Sequence, residues 1–111
     1  MIEQASESGF NELLDGVWLK SLTHGSRTHL TEVRFLKGAV VPEHQHPHEQ
    51  TGYLISGSLR FLGGGEDTVV TPGDCWTFAS EVPHGAEALE DSLVIEVFSP
   101  IREDYLPDSS E

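Results

Sequence analysis

Positive charge is scarce in this chain. Of its 111 residues six are Lys or Arg, against nineteen Asp or Glu, and the formal net charge is −13. No basic stripe exists to neutralise phosphates, which argues against nucleic acid as a partner and against an anionic membrane surface. Cysteine is almost missing: Cys75 stands alone, so no intrachain disulfide can form. It lies in Cys75-Trp76-Thr77-Phe78, which reads as a strand, and a buried, inert thiol is expected. Long apolar runs are absent as well. Nothing approaches the roughly 18 residues of a membrane span, and the acidic start Met1-Ile2-Glu3-Gln4 lacks the apolar stretch of a signal peptide. A soluble, cytoplasmic protein is expected. Helical periodicity is also weak, the best candidate being Phe10 to Leu14.

What the chain has is a succession of short extended runs. Eleven Gly and six Pro sit mostly between apolar segments. Strands are expected over Val17 to Leu22, Thr28 to Leu36, Val40 to His46, Gly52 to Ser56 and Ser58 to Leu62. Further strands are expected over Asp67 to Thr71, Cys75 to Ala79, Gly85 to Leu89 and Leu93 to Phe98. In the second run Thr31, Val33 and Phe35 fall on one face, Glu32 and Arg34 on the other. Gly63-Gly64-Gly65 reads as a flexible turn, and Pro72-Gly73-Asp74 as a tight one. Many short strands at this spacing predict a sandwich or a closed barrel. No repeat or linker divides the chain, so a single domain over 1–111 is expected. Its barrel core should span about 17–100, with the acidic tail 101–111 lying over the barrel before fraying.

Histidine is clustered. Three of the six fall in His44-Gln45-His46-Pro47-His48. Positions two apart share a face of a strand, so His44 and His46 point the same way and form half a metal site. Pro47 cannot donate to a sheet ladder, so the chain should turn there. Gln50 can then bring a side-chain oxygen back toward the same ion. His84, in Val82-Pro83-His84-Gly85, is the best candidate for a further ligand. Three imidazoles and an amide oxygen suit one divalent ion of Mn, Fe, Ni, Co or Zn. His24 and His29 lack such framing and read as ordinary polar residues. His48 reads as a solvent-exposed turn residue, with a supporting role beside the ligands as its alternative.

These residues resemble the cupin superfamily. Its first motif is similar to Gly38-Ala-Val-Val-Pro-Glu-His44-Gln-His46-Pro-His-Glu-Gln50 and on to Gly57. Its second is similar to Pro72-Gly73-Asp74 followed by Val82-Pro83-His84. The chain departs from the usual motif with Gln50 for the acidic ligand, Ala79 for Pro and Glu81 for Gly. The resemblance implies an all-β, jelly-roll-like cupin barrel with a metal in its mouth, and homodimers are common in such families. Within the cupins the chain most resembles the KdgF-like pectin-degradation group, through Gln50 and the tail Glu96-Val97-Phe98-Ser99-Pro100-Ile101-Arg102. That group has Asp where this chain has Glu96.

The group opens the ring of unsaturated uronates, which implies a small anionic sugar acid as substrate. It implies that Glu96, Phe98 and Arg102 line the pocket, Glu96 as general acid or base and Arg102 on the carboxylate. Phe98 or Trp76 would pack on the sugar face. Other readings stay open. Glu96 interrupts an apolar run and can equally face solvent on an edge strand. Arg102 can instead tie down the tail through Glu103 or Asp104, and Trp76 and Phe78 can be core. A metal-dependent dioxygenase or other oxidoreductase is one rival function, and a non-catalytic small-molecule-binding module is the other.

Overall fold

A computed structural model describes residues 1–63 and 67–107. Period-two alternation organises them. Strand β3 (His29–Phe35) buries Thr31, Val33 and Phe35 on one face and leaves Glu32 and Arg34 half-buried on the other, as the sequence predicts. The same alternation makes β10 (Ser92–Ser99) bury Ser92, Val94, Glu96 and Phe98. These two strands lie side by side in an antiparallel pair, with Glu96 opposite Thr31 and Phe98 opposite His29.

The remaining strands are β1 (Phe10–Leu14), β2 (Val17–His24), β4 (Val40–His44) and β5 (Glu49–Ser56). After them come β6 (Leu59–Leu62), β7 (Thr68–Val70), β8 (Cys75–Phe78) and β9 (His84–Ala88). They form one sheet in the order β1-β2-β3-β10-β5-β8 and another in the order β4-β9-β6-β7. The core lies between the sheets. Val17, Val33, Leu54 and Val94 from the larger sheet meet Leu59, Val70 and Ala88 from the smaller. Leu54 is 0% exposed and Leu59 1%. Burying a side chain of this kind stabilises the fold by about 1.5–3 kcal/mol over leaving it in water.

Several expectations need correction. Phe10 to Leu14 is not helical. It is β1, which pairs with β2 through Asp15-Gly16, with Gly16 at φ 77°. Six residues between Gly9 and Gly16 are too few for a stable helix, whereas pairing with β2 satisfies the backbone at once. Cys75 is exposed, because β8 is the edge of the larger sheet and its parity turns Cys75 outward and Trp76 inward. Strand β4 stops at His44, two residues early, so His46 sits in the following loop. Strand β5 begins earlier than expected and takes in Gln50.

After β10 the chain makes one turn of 3-10 helix, Glu103–Tyr105, which packs Tyr105 on the core. Gly64 and Gly65 of the glycine turn, and the tail end expected to fray (108–111), lie outside the described residues. No helix among the described residues is long and apolar enough to cross a membrane.

Candidate functional site

Sheet pairing brings the histidines together. His44 ends β4 directly opposite His84 at the start of β9. His46 follows in a loop whose carbonyl accepts the Glu81 N–H at 2.8 Å. Glu81 stands where the cupin motif has Gly and takes φ 65°, the left-handed region that costs a non-glycine residue energy. One nitrogen from each of His44, His46 and His84 lies within 4.8 Å of the others. Each ring is fixed through Nδ1: His44 to the Pro42 carbonyl at 2.9 Å, His46 to that of His48 at 2.9 Å and His84 to that of Val82 at 2.8 Å. A carbonyl only accepts, so every Nδ1 carries the proton and every Nε2 keeps its lone pair. His84 is 5% exposed. Burial holds His46 and His84 below the usual histidine range, against the bonds that pull them up, which favours the neutral form a metal needs.

Gln50 joins this group from β5. Its amide nitrogen donates to Glu96 Oε2, which leaves its oxygen facing His46 Nε2 at 3.0 Å. Two acceptors then face each other, and His84 Nε2 is buried with no hydrogen-bond partner among the described residues. Lone pairs left unmatched in this way are what a shared cation would satisfy. The donor set therefore fits a divalent ion on its own geometry.

Glu96 points into the sandwich, so the solvent-facing reading falls. It is 9% exposed. Burial pushes its carboxyl above the usual range, while bonds from Gln50 and Trp76 and the charge of Arg102 oppose the rise. Trp76 Nε1 donates to Glu96 Oε2 at 3.3 Å. The indole reaches it across Gly52, where an added Cβ would come within 2.3 Å of the Trp76 ring. Trp76 thus packs on the core and touches the site as well.

A cavity of about 370 Å³ opens between the sheets, with His44, Gln50, His84, Glu96, Phe98 and Arg102 on its walls and Trp76 beside them. Arg102 lines this cavity and ties down the tail through Asp104. Its Nε and Nη2 donate to Asp104 at 3.1 and 2.9 Å. Its guanidinium lies 4.1 Å over the Tyr105 ring and 5.0 Å from the centre of Phe98. Phe78 stacks on His84 at 4.4 Å with rings 6° apart. His48 is half-buried rather than open to solvent, 5.6 Å from the His46 ring.

His29 corrects an expectation. It is fully buried and bonded on both nitrogens, not an ordinary polar residue. Extending the Thr31-Val33-Phe35 alternation two residues back would have found it. Of the two tail partners expected for Arg102 it is Asp104 that bonds to it, while Tyr105 was missed as its neighbour, because a chain reversal after a strand leaves no periodic signal.

Comparison with known proteins agrees with this geometry. The cupin domain family model matches residues 31–99. The pectin degradation protein KdgF of Dickeya dadantii is 34% identical over 102 residues, covering 90% of this chain and 93% of that protein. The solved structure of KdgF from Halomonas sp. superposes with a TM-score of 0.85 at 38% identity, covering 90% of this chain and 94% of that one. An RmlC-like cupin from Shewanella frigidimarina gives 0.84 at 28% identity, with 90% of each chain covered. Motif, sandwich and histidine cluster therefore converge with these matches on one assignment, and the chain belongs to the cupin family.

Proposed function

We propose that this cupin opens the ring of a small unsaturated uronate, with one divalent ion held by His44, His46, Gln50 and His84. Its similarity to proteins of pectin degradation supports the substrate class. The observation that carries the reading is the buried Glu96 carboxylate sharing one cavity with the histidine cluster and Arg102. When bound, the ion supplies Lewis acidity undiminished by a carboxylate in the donor set.

The chain's own residues account for the rest. Asp104 takes up Nε and Nη2 of Arg102, and the Nη1 side of its fork can pair with the sugar carboxylate. Phe98 offers an apolar wall to the ring. Ring opening breaks the bond from C1 to the ring oxygen and moves one proton from the anomeric hydroxyl to C4. No oxidant or co-reactant is needed. Glu96 takes the first proton and returns it, a role suited to a carboxyl whose burial raises its proton affinity. The bonds from Gln50 and Trp76 both reach Oε2, which leaves Oε1 for the proton.

The test is direct. Purified, metal-loaded protein should remove the ultraviolet absorbance of a 4,5-unsaturated galacturonate without drawing down dissolved oxygen. Glu96→Gln should lower kcat by about 10²–10⁴-fold, the usual worth of a positioned acid–base group. Arg102→Ala should mainly raise KM. Oxygen consumption coupled to substrate loss, or full activity in both variants, overturns the proposal.

A further inference from the structure

His29 belongs to no role described so far, yet it is 0% exposed and both its nitrogens are engaged. Its Nδ1 accepts the backbone N–H of Arg102 at 3.2 Å. In the neutral ring Nε2 must then carry the proton and donate to Ser21 Oγ, 2.7 Å away on β2. That tautomer makes the Ser21–His29 pair unable to act as a nucleophile and base. It is instead a bridge from the larger sheet to the segment that leaves β10.

Tyr105 ties the same segment to the core and to the Phe98 ring of β10. The segment leaves β10 after Ser99 and reaches the 3-10 turn Glu103–Tyr105 after three intervening residues. Arg102 must hold its guanidinium at the cavity although it sits at the start of a single helical turn. Its side chain is oriented by Asp104 and the Tyr105 ring, which lie on the same short turn. The ring contacts of Tyr105 act at the far end of the turn, whereas the His29 bond ties Arg102's own backbone to β3. A buried imidazole with two partners is rigid, since losing either bond strands a polar atom away from water.

We propose that His29 is a positioning residue for Arg102, setting the arginine fork at the distance from Glu96 and the histidine cluster that an anionic substrate requires. The proposal rests on the uronate reading for its kinetic consequence alone. The tie between His29 and the tail can be tested without any substrate.

The experiment compares His29→Leu with His29→Asn in the full chain. Leu keeps comparable bulk and removes both bonds. Asn places a side-chain oxygen near the position of Nδ1, where it can accept the Arg102 N–H. In His29→Leu the Arg102 amide should exchange with deuterium about five- to tenfold faster, the worth of one hydrogen bond, while β5 amides stay unchanged. His29→Asn should restore slow exchange. On the unsaturated galacturonate, His29→Leu should raise KM about tenfold with kcat nearly held. Adding it to Arg102→Ala should cost nothing further.

Unchanged exchange at Arg102 in His29→Leu overturns the proposal, as does a failure of Asn to slow it. Additive effects in the double variant overturn it too, because they would mean His29 acts elsewhere. If His29→Leu does not fold, His29→Gln replaces it, keeping a group near Ser21 but moving its acceptor away from Arg102. If the wild-type protein leaves the uronate untouched, the functional reading fails and the exchange result alone decides the role of His29.

Discussion

Burial, with the positive charges of His24 and Arg102, holds His29 below the ordinary histidine value of 6.5, while Asp104 pulls the other way. Those three groups face it from β2 and from the tail. The sign of the consequence is fixed by linkage. A depressed value in the folded state means the unfolded chain binds more protons across the window beneath 6.5. Stability from His29 is therefore complete above about pH 6.5 and is lost as pH falls below it, by at most about 1.4 kcal/mol per pH unit. Protonation would also cancel the Nδ1 lone pair that Arg102 uses. Urea unfolding between pH 5 and 7.5 should show a shallower acid loss in His29→Asn than in wild type. An identical slope would remove His29 as its source. Glu96 teaches a related lesson at this scale. Its chemistry was visible in the sequence, but solvent and pocket were equal readings until the parity of β10 was known.

Strand β5 meets β8 with Gly52 directly opposite Trp76. The absent side chain there is what lets the indole lie across β5 and reach Glu96. In Gly52→Ala the new methyl would come within 2.3 Å of the ring, so Trp76 must shift. The expected cost is about 1–3 kcal/mol of stability, typical of overpacking, with a change in tryptophan fluorescence and a lower kcat on the uronate. Wild-type stability and emission in that variant would mean the indole does not depend on the gap. Element boundaries explain the sequence misreadings as well. β1 offered only five residues, and its pairing with β2 is a tertiary event that local propensity does not contain. Cys75 was placed in a strand correctly and on the wrong side of it, because an apolar run does not say which sheet edge it will occupy.

His44 and His84 come from paired strands of the smaller sheet, His46 from the loop after β4 and Gln50 from the larger sheet, so metal binding should be coupled to the stability of the whole domain. With free metal at 100 times its dissociation constant, the folded state gains about 2.7 kcal/mol. For a chain of this length that is on the order of a 10 °C rise in melting temperature. Calorimetry with added Mn, Ni or Zn should show the rise, a chelator should reverse it, and His84→Ala should abolish it. A melting temperature indifferent to every metal and to chelator refutes the coordination set. The net charge of −13 acts at the same scale. It favours the capture of a cation and, on the proposed uronate chemistry, works against the anionic substrate, which would leave Arg102 on the cavity wall to offset it.

By itself the sequence determined the all-β class, most of the strands and the identity of the clustered histidines, because period-two alternation and residue type are local properties. It also held the cupin motifs, which are short and contiguous. Only the tertiary structure decided that Glu96 faces inward, that Gln50 is turned by Glu96 to aim its oxygen at His46, and that His29 ties down Arg102. Each of these joins residues far apart in the chain, or depends on which face of a sheet becomes the inside. Those are consequences of packing, and no window of neighbouring residues contains them.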